Sequence, residues 1–409
     1  MRQLVSGRPV TMKDFVQENA MKTGYSLFIA LTIMLIAPAA LEAKETKTEK
    51  CMVKAWQCFN RGEYRQADRN LQHSARMAKG KTEEREHLAT SLANRATIIS
   101  EQGNYKEADA LFNEALAIYR DLHGEDHPYV TILMNNQAVL NYRAGNYQKA
   151  EALYQTVLQR SREQLGEEHP SLANSYNNLA ALYCKLENYR AAIEQLKCSL
   201  AIYRKSVGTC NPAYACSLNN LGAVYFLSGQ YKECESLYEE ALSIREETLP
   251  EKHPDIALSY NNLARLRTKQ NRFEEAESLF KKALCLRLEA FGKNHFLTAN
   301  SLYGMAELNL ASKNFKNAEK LYRKALTIQE AVLGPNHPDV ADNLVGLARA
   351  ESALNRPEFR TSALAKLERA IAIKKTIHGT THKSVIALLE EKARLKTEYP
   401  EYIGITASK

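Results

Sequence analysis

The chain has 409 residues, 45% of them hydrophobic and 25% charged, with one tryptophan, 21 tyrosines and a formal charge of +8. This is the composition of an ordinary α-helical protein. It lacks the basic stripe with interleaved stacking aromatics that nucleic-acid binding requires.

Residues 1–43 differ from the rest. Leu27 to Leu41 reads LFIALTIMLIAPAAL and is apolar except for Thr32. Fifteen residues are short for a membrane-spanning helix, which needs about 20, and they suit a signal-peptide core. Lys22 supplies the positive flank, and Ala37-Pro38-Ala39 and Leu41-Glu42-Ala43 offer small-residue cleavage sites. The first expectation is therefore export, periplasmic or secreted, after cleavage of 1–43. The second is a membrane anchor that stays uncleaved, and the third is a cytosolic protein. Residues 44–82 hold a polar linker and a degenerate helix pair over Cys51 to Met77, with Gly62-Glu63-Tyr64 as its turn.

From residue 83 to residue 381 the sequence repeats. His-Pro recurs at His127-Pro128, His169-Pro170, His253-Pro254 and His337-Pro338, with Asn211-Pro212 and His295-Phe296 in the two remaining slots. All are 42 residues apart. Proline suits a first helical turn, so first helices are expected from Pro128, Pro170, Pro212, Pro254, Phe296 and Pro338, and an earlier one from near Arg85. An aromatic opens each second helix after a short turn: Tyr105, Tyr147, Tyr189, Tyr231, Phe273 and Phe315. A small residue stands three further on, at Ala108, Ala150, Ala192, Cys234, Ala276 and Ala318. Glycine caps the pair at Gly124, Gly166, Gly208, Gly292 and Gly334, where a positive φ is wanted. A helix pair of this kind cannot bury its apolar stripe alone and needs stacked neighbours. The seventh repeat carries three extra residues. Residues 382–409 read as a C-terminal capping helix, about His382 to Thr397, followed by a loose tail.

The pattern N-N-L-A, a G-N-Y-like turn, A-E-x-L-Y-x-x-A-L-x-I and G-x-x-H-P resembles the tetratricopeptide repeat. Its 42-residue period is similar to the kinesin light chain subclass. The resemblance spans roughly Glu83 to Lys396. It implies an all-α, right-handed superhelical solenoid of antiparallel helix pairs, whose first helices line a concave groove that binds peptide without catalysis. Nothing matches the heptad region that joins a kinesin light chain to its heavy chain, so no motor role is implied.

Asparagine doublets recur at Asn135-Asn136, Asn177-Asn178, Asn219-Asn220 and Asn261-Asn262. Asparagine is a poor helix-interior residue, so its repetition needs a reason. One reading is a row of amides facing a peptide backbone in the groove; the other is a structural ladder between adjacent helices. Asn135, Asn177, Asn219 and Asn261 are expected to face the groove, and the family resemblance implies the same place. The rest of that stripe varies, with Asn174 and Cys184, Cys216 and Phe226, Arg265 and Lys269, Asn300 and Tyr303, and Arg349. Arg265 and Lys269 stand one turn apart and could meet an acidic side chain. The expected groove residues are thus Asn135, Asn174, Asn177, Asn219, Asn261, Arg265, Lys269 and Asn300.

The loop histidines are too far apart to gather on one metal ion and are read as helix caps. Eight cysteines form no C-x-x-C; Cys234 is read as a buried small residue, and Cys210/Cys216 is the one local pair worth testing. Free thiols sit uneasily with export. No nucleophile elbow, phosphate loop, metal-ligand set or dinucleotide fingerprint is present. No catalytic residue, cofactor or metal is assigned. The leading expectation is a non-enzymatic scaffold for a protein or peptide partner, acidic on the Arg265–Lys269 reading. The rival is a structural solenoid that self-associates through an exposed end.

Overall fold

The computed structural model describes residues 46–398. The leader expected over 1–43 and the tail expected beyond residue 398 lie outside them. Among the described residues the architecture is all-α, with helices packed in consecutive pairs. The pairs are α1 (Lys47–Asn60) with α2 (Tyr64–Ala78), α3 (Arg85–Glu101) with α4 (Tyr105–His123), and α5 (Pro128–Arg143) with α6 (Tyr147–Leu165). Next come α7 (Pro170–Lys185) with α8 (Tyr189–Ser206), α9 (Pro212–Leu227) with α10 (Tyr231–Thr248), and α11 (Pro254–Lys269) with α12 (Phe273–Phe291). Last are α13 (Phe296–Ala311) with α14 (Phe315–Leu333), α15 (Pro338–Ala353) with α16 (Pro357–His378), and the single helix α17 (Lys383–Glu398). The helices form two compact units, one up to Leu263 and one from Ala264 onward.

Every first helix starts where the repeat pattern places it, and the cap explains why. The Nδ1 atoms of His127, His169, His253, His295, His337 and His382 each accept a hydrogen bond from the backbone N–H two residues on, at 3.2–3.3 Å. Asn211 does the same through Oδ1, at 2.8 Å from Ala213 N. An orphan helix-end donor is satisfied in each case. Proline follows in most, its missing N–H costing nothing there. The loop histidines are therefore caps, as their spacing indicates.

The turn inside each pair needs one residue with positive φ. Gly103, Gly145 and Gly229 supply it where glycine is present. Glu187, Asn271 and Lys313 fill the same place at φ near 60°, a conformation that costs an L-residue other than glycine or asparagine about 1–2 kcal/mol. The three extra residues of the seventh repeat lengthen its second helix: α16 has 22 residues where α12 and α14 have 19. The packing alanine moves with them, to Ala363.

The core alternates small and large residues. In the first unit Ala108, Phe112 and Ala115 form one such run, and Ala150, Tyr154 and Val157 another. In the second unit Ala276 and Phe280 pack on Ala264 and Leu308. Ala276 and Cys234 are fully buried, as their places in the pattern require. Burying each large side chain is worth about 1.5–3 kcal/mol, and the alanines let the helix backbones approach.

Candidate functional site: the first-helix stripe

The asparagine doublets form a ladder across the first helices of the first unit. Asn178 Nδ2 donates to Asn135 Oδ1 at 2.8 Å. Asn220 Nδ2 donates to Asn177 Oδ1 at 3.1 Å, and Asn262 Nδ2 to Asn219 Oδ1 at 2.7 Å. The pairing is diagonal. The second asparagine of one repeat reaches the first asparagine of the repeat before it, 43 residues back. The amides of these three rungs thus meet partners on neighbouring helices, which offsets their poor helix propensity.

Asn177 is the most committed member. Its Nδ2 lies 3.0 Å from Ala173 O, 2.8 Å from Ser199 Oγ and 2.9 Å from Ser217 Oγ. Ser199 and Ser217 are buried and bond to each other at 2.9 Å. Asn177 is a junction of three helices, α7, α8 and α9. Asn219 and Asn261 are buried. Asn135 and Asn174 are half-buried, and Asn174 Oδ1 accepts from Tyr203 OH at 2.6 Å. Three of the four first asparagines expected on the groove, Asn135, Asn177 and Asn219, are thus acceptors of the structural ladder. Asn135 and Asn219 engage only Oδ1 in the ladder, and their Nδ2 atoms have no protein partner among the described residues. Cys184 and Phe226, expected on the variable stripe, are buried. Phe226 packs against Tyr231 with ring centroids 5.8 Å apart.

The second unit replaces the ladder. Gly304 and Gly346 stand where second asparagines would, and aromatic rings fill the space. A Cβ at Gly304 would lie 2.5 Å from Phe280 Cε1, and one at Gly346 would collide with the ring of Tyr322. Tyr303 takes the place of a first asparagine and meets Tyr322 edge-on at 5.6 Å. Asn300 accepts from Gln329 at 3.4 Å, and Gln329 in turn accepts from Asn343 at 2.9 Å.

Arg265 and Lys269 are both exposed, but their surroundings differ. Arg265, Glu307, Arg349 and Glu391 stand 42 residues apart and alternate in sign. Arg349 grips Glu391 with both Nε and Nη2 at 2.8 Å, a bidentate pair that raises its pKa further. Glu307 accepts a hydrogen bond from Tyr322 OH. Burial pushes the Tyr303 hydroxyl well above its ordinary range; Glu307 and Asp342 push it the same way, and Arg265 and Arg349 oppose them. This row therefore carries balanced charge. Lys269 has no hydrogen-bond or ion-pair partner among the described residues.

Two buried arginines escaped the sequence reading. Arg245 donates to Asp255 O at 3.2 Å and Ser259 Oγ at 2.7 Å. Arg287, 42 residues on, donates to Leu297 O at 2.8 Å and Ser301 Oγ at 3.0 Å. The signal was present as an arginine followed by a serine 14 residues later, in two successive repeats. All eight cysteines are free thiols, and Cys210 and Cys216 are not joined. Among the described residues no three His, Cys, Asp or Glu side chains are placed to hold a metal ion, and no helix is long and apolar enough to cross a membrane.

The chain belongs to the tetratricopeptide repeat family, whose model matches residues 57–121, 87–155, 129–205, 214–289 and 297–376. Its fold is that of yeast Tom70, at 15% identity and a TM-score of 0.59 over 94% of this chain and 71% of that one. A Rap protein complexed with Competence and Sporulation Factor matches at 12% identity and 0.53, over 86% and 98%. A Podosopora anserina protein described as a kinesin light chain with nearly identical TPR-like repeats is 26% identical over 51% of this chain and 96% of its own, with a TM-score of 0.41. No curated protein matches the sequence.

Proposed function

We propose that this tetratricopeptide solenoid is a non-enzymatic scaffold that binds a peptide or protein along its first-helix stripe. The observation that carries the reading is the polar capacity left on that stripe after the helices have been joined. Asn135 keeps a half-buried Nδ2 donor and Lys269 an exposed ammonium, each within its own unit. Asn174, Asn177, Asn219 and Asn261 belong to the stripe of the first unit and Arg265 and Asn300 to that of the second, with hydrogen bonds of Asn174, Asn177, Asn219 and Asn300 already directed to the protein. A ligand backbone would take donors such as Asn135 Nδ2. An acidic ligand side chain would meet Lys269 before Arg265, because Arg265 belongs to the charge-balanced row. The proposed site of action is outside the cytoplasm, with 1–43 removed as a signal peptide. Mass spectrometry of the protein from its own cells should then find an N-terminus near Ala40 or Lys44; soluble protein with an intact Met1 or Met21 would refute export.

The binding experiment is a cross-linked pull-down with the mature chain and an Asn135→Ala/Lys269→Glu variant. Asn135→Ala also removes the acceptor of Asn178 Nδ2, so the variant should lose about 1–3 kcal/mol of stability. Binding is therefore compared at a temperature where both proteins remain folded, with Asn178→Ala as the control that breaks the same rung but keeps Asn135 Nδ2. Binding should fall at least tenfold, equivalent to about 1.4 kcal/mol, and the Lys269 contribution should shrink with added salt. Equal recovery of the same partner by both proteins would remove these residues from the site. A wild type that captures only further copies of itself would favour the self-associating solenoid.

A further inference from the structure

The first helix pair carries a charge unlike the rest of its unit. Residues 46–81 hold nine Lys or Arg and three Asp or Glu, a formal charge of +6, whereas residues 82–263 carry −8. Lys47, Lys50 and Lys54 follow one another on α1 at spacings of three and four, so they share one face. That face is turned away from α3. Thr48 and Glu49 mark the side toward α3. Thr48 Oγ1 donates to Glu84, at the entry to α3, at 2.6 Å, and Glu49 Oε1 lies 3.4 Å from His87 Nε2. At about 100° per residue the three lysines stand opposite these contacts. On α2, Arg65, Arg69 and Arg76 form a second row, opposite the fully buried Ala67, Leu71 and Ala78.

All six cations are exposed, and none has a hydrogen-bond or ion-pair partner among the described residues. The acids of the pair are turned to other groups. Asp68 accepts from Arg95 Nε at 2.8 Å, Glu63 stands 3.9 Å from Arg61, and Glu49 faces His87. The two rows therefore present positive charge with no acid left to balance it.

We propose that this face of the first helix pair binds the surface of an anionic phospholipid bilayer, as a peripheral contact that does not enter the hydrocarbon. Charge is the first argument. A cluster of four to eight Lys or Arg side chains is what anionic headgroups attract, each cation adding to the binding. The absence of an anchor is the second. A specific protein partner is held by aromatic or apolar side chains at the centre of its patch. Among residues 46–81 the one large apolar side chain exposed is Val53, at 36%. A fluid surface needs no such anchor, because its headgroups move to meet the charges, and flexible stems let lysines and arginines of two helices reach one plane. Orientation is the third. The same surface repels the −8 of residues 82–263 and turns the first pair toward it. The face uses residues 47–76 alone, so removal of 1–43 takes nothing from it. The second unit has a cationic row of its own, Lys316, Lys320 and Lys324 on α14, all exposed. It is one helix wide and serves as the control.

The test is co-sedimentation of the mature chain, from Lys44 onward, with vesicles of phosphatidylcholine alone or mixed three to one with phosphatidylglycerol. The wild type should bind the mixed vesicles at least tenfold more tightly than the neutral ones, and the difference should shrink as salt is raised. Lys47→Glu/Lys50→Glu/Lys54→Glu should weaken binding to mixed vesicles at least tenfold with helicity unchanged, since glutamate and lysine are similar helix formers. Arg65→Glu/Arg69→Glu/Arg76→Glu should do the same independently. Lys316→Glu/Lys320→Glu/Lys324→Glu, an equal change of net charge, should stay within threefold of the wild type. Equal binding to both kinds of vesicle would overturn the proposal. So would an equal loss in the α14 variant, which would assign the attraction to net charge rather than to this face. Release of the bound protein by millimolar glycerol phosphate would make a free phosphate the ligand. Preferential binding of polyglutamate or duplex DNA in competition with the mixed vesicles would make another macromolecule the partner. Either result would overturn the proposal as well.

Discussion

Asn177→Ala is the substitution that most directly tests the ladder. It removes the acceptor of Asn220 Nδ2 at 3.1 Å and the donor that reaches the buried hydroxyls of Ser199 and Ser217 at 2.8 and 2.9 Å. The two serines still have each other at 2.9 Å, and Asn220 is half-buried and can turn partly to water. The expected loss is therefore one to two unsatisfied groups, about 1–3 kcal/mol. Alanine returns about 0.6 kcal/mol as the better helix former, which leaves a net loss of about 0.5–2.5 kcal/mol. Repeat arrays unfold with limited cooperativity, so urea unfolding followed by helicity should be paired with hydrogen exchange resolved to α7, α8 and α9. Exchange should quicken in those three helices first. Asn220→Ala should cost less, because Asn177 Oδ1 keeps a contact to Ser217 Oγ at 3.3 Å. The double mutant should show a coupling energy of about 0.5–1.5 kcal/mol. A coupling near zero, with unchanged exchange in the three helices, would mean that the amides do not join the repeats.

Three further outcomes are expected. Gly304→Ala should destabilise the second unit by about 1–3 kcal/mol, because its Cβ would lie 2.5 Å from Phe280; combining it with Phe280→Leu should recover part of the loss in a melting experiment. Lys313→Gly should raise the urea midpoint by the equivalent of about 1 kcal/mol, since φ of 63° is strained for lysine and free for glycine; no change would show that this turn carries no strain. His295 is buried beside Arg287, and desolvation lowers its pKa to about 4. The unfolded chain, with histidine near 6.5, therefore binds the proton first as the pH falls. Stability should drop between pH 6.5 and pH 4, by on the order of 3 kcal/mol once His295 is protonated. His295→Asn, which keeps the cap in the manner of Asn211, should flatten that part of the pH profile, and an unchanged slope would assign the acid sensitivity elsewhere.

The fold was legible because its signals are local and repeated. Cap, opening aromatic and packing alanine recur at one period, and each is set by chemistry within a few residues of its own position. The site was less legible. The asparagine doublets stood out as helix-unfavourable residues, but reading them at a 42-residue spacing pairs like with like. The structural pairing is at 43, second to first, and only a model of how neighbouring helices offset shows that diagonal. Cys184 and Phe226 look variable along the stripe yet are buried, because variation in a repeat also tracks how neighbouring side chains fill space. Arg265 looked like a free cation, while the alternation Arg265, Glu307, Arg349, Glu391 was readable at the same period and marks a row that neutralises itself.

The diagonal ladder also bears on how such a chain can change length. Excising residues 170–211, one whole period, would place Pro212 directly after His169 and bring Asn220 to the position Asn178 now holds against Asn135. The ladder would close over the gap with its donor and acceptor still matched. Ser217 would not be so well served, because it would face Val157 where it now meets Ser199. Amide rungs of this type are interchangeable between neighbours and tolerate duplication or loss of whole modules. The serine junction fixes which two modules must remain adjacent.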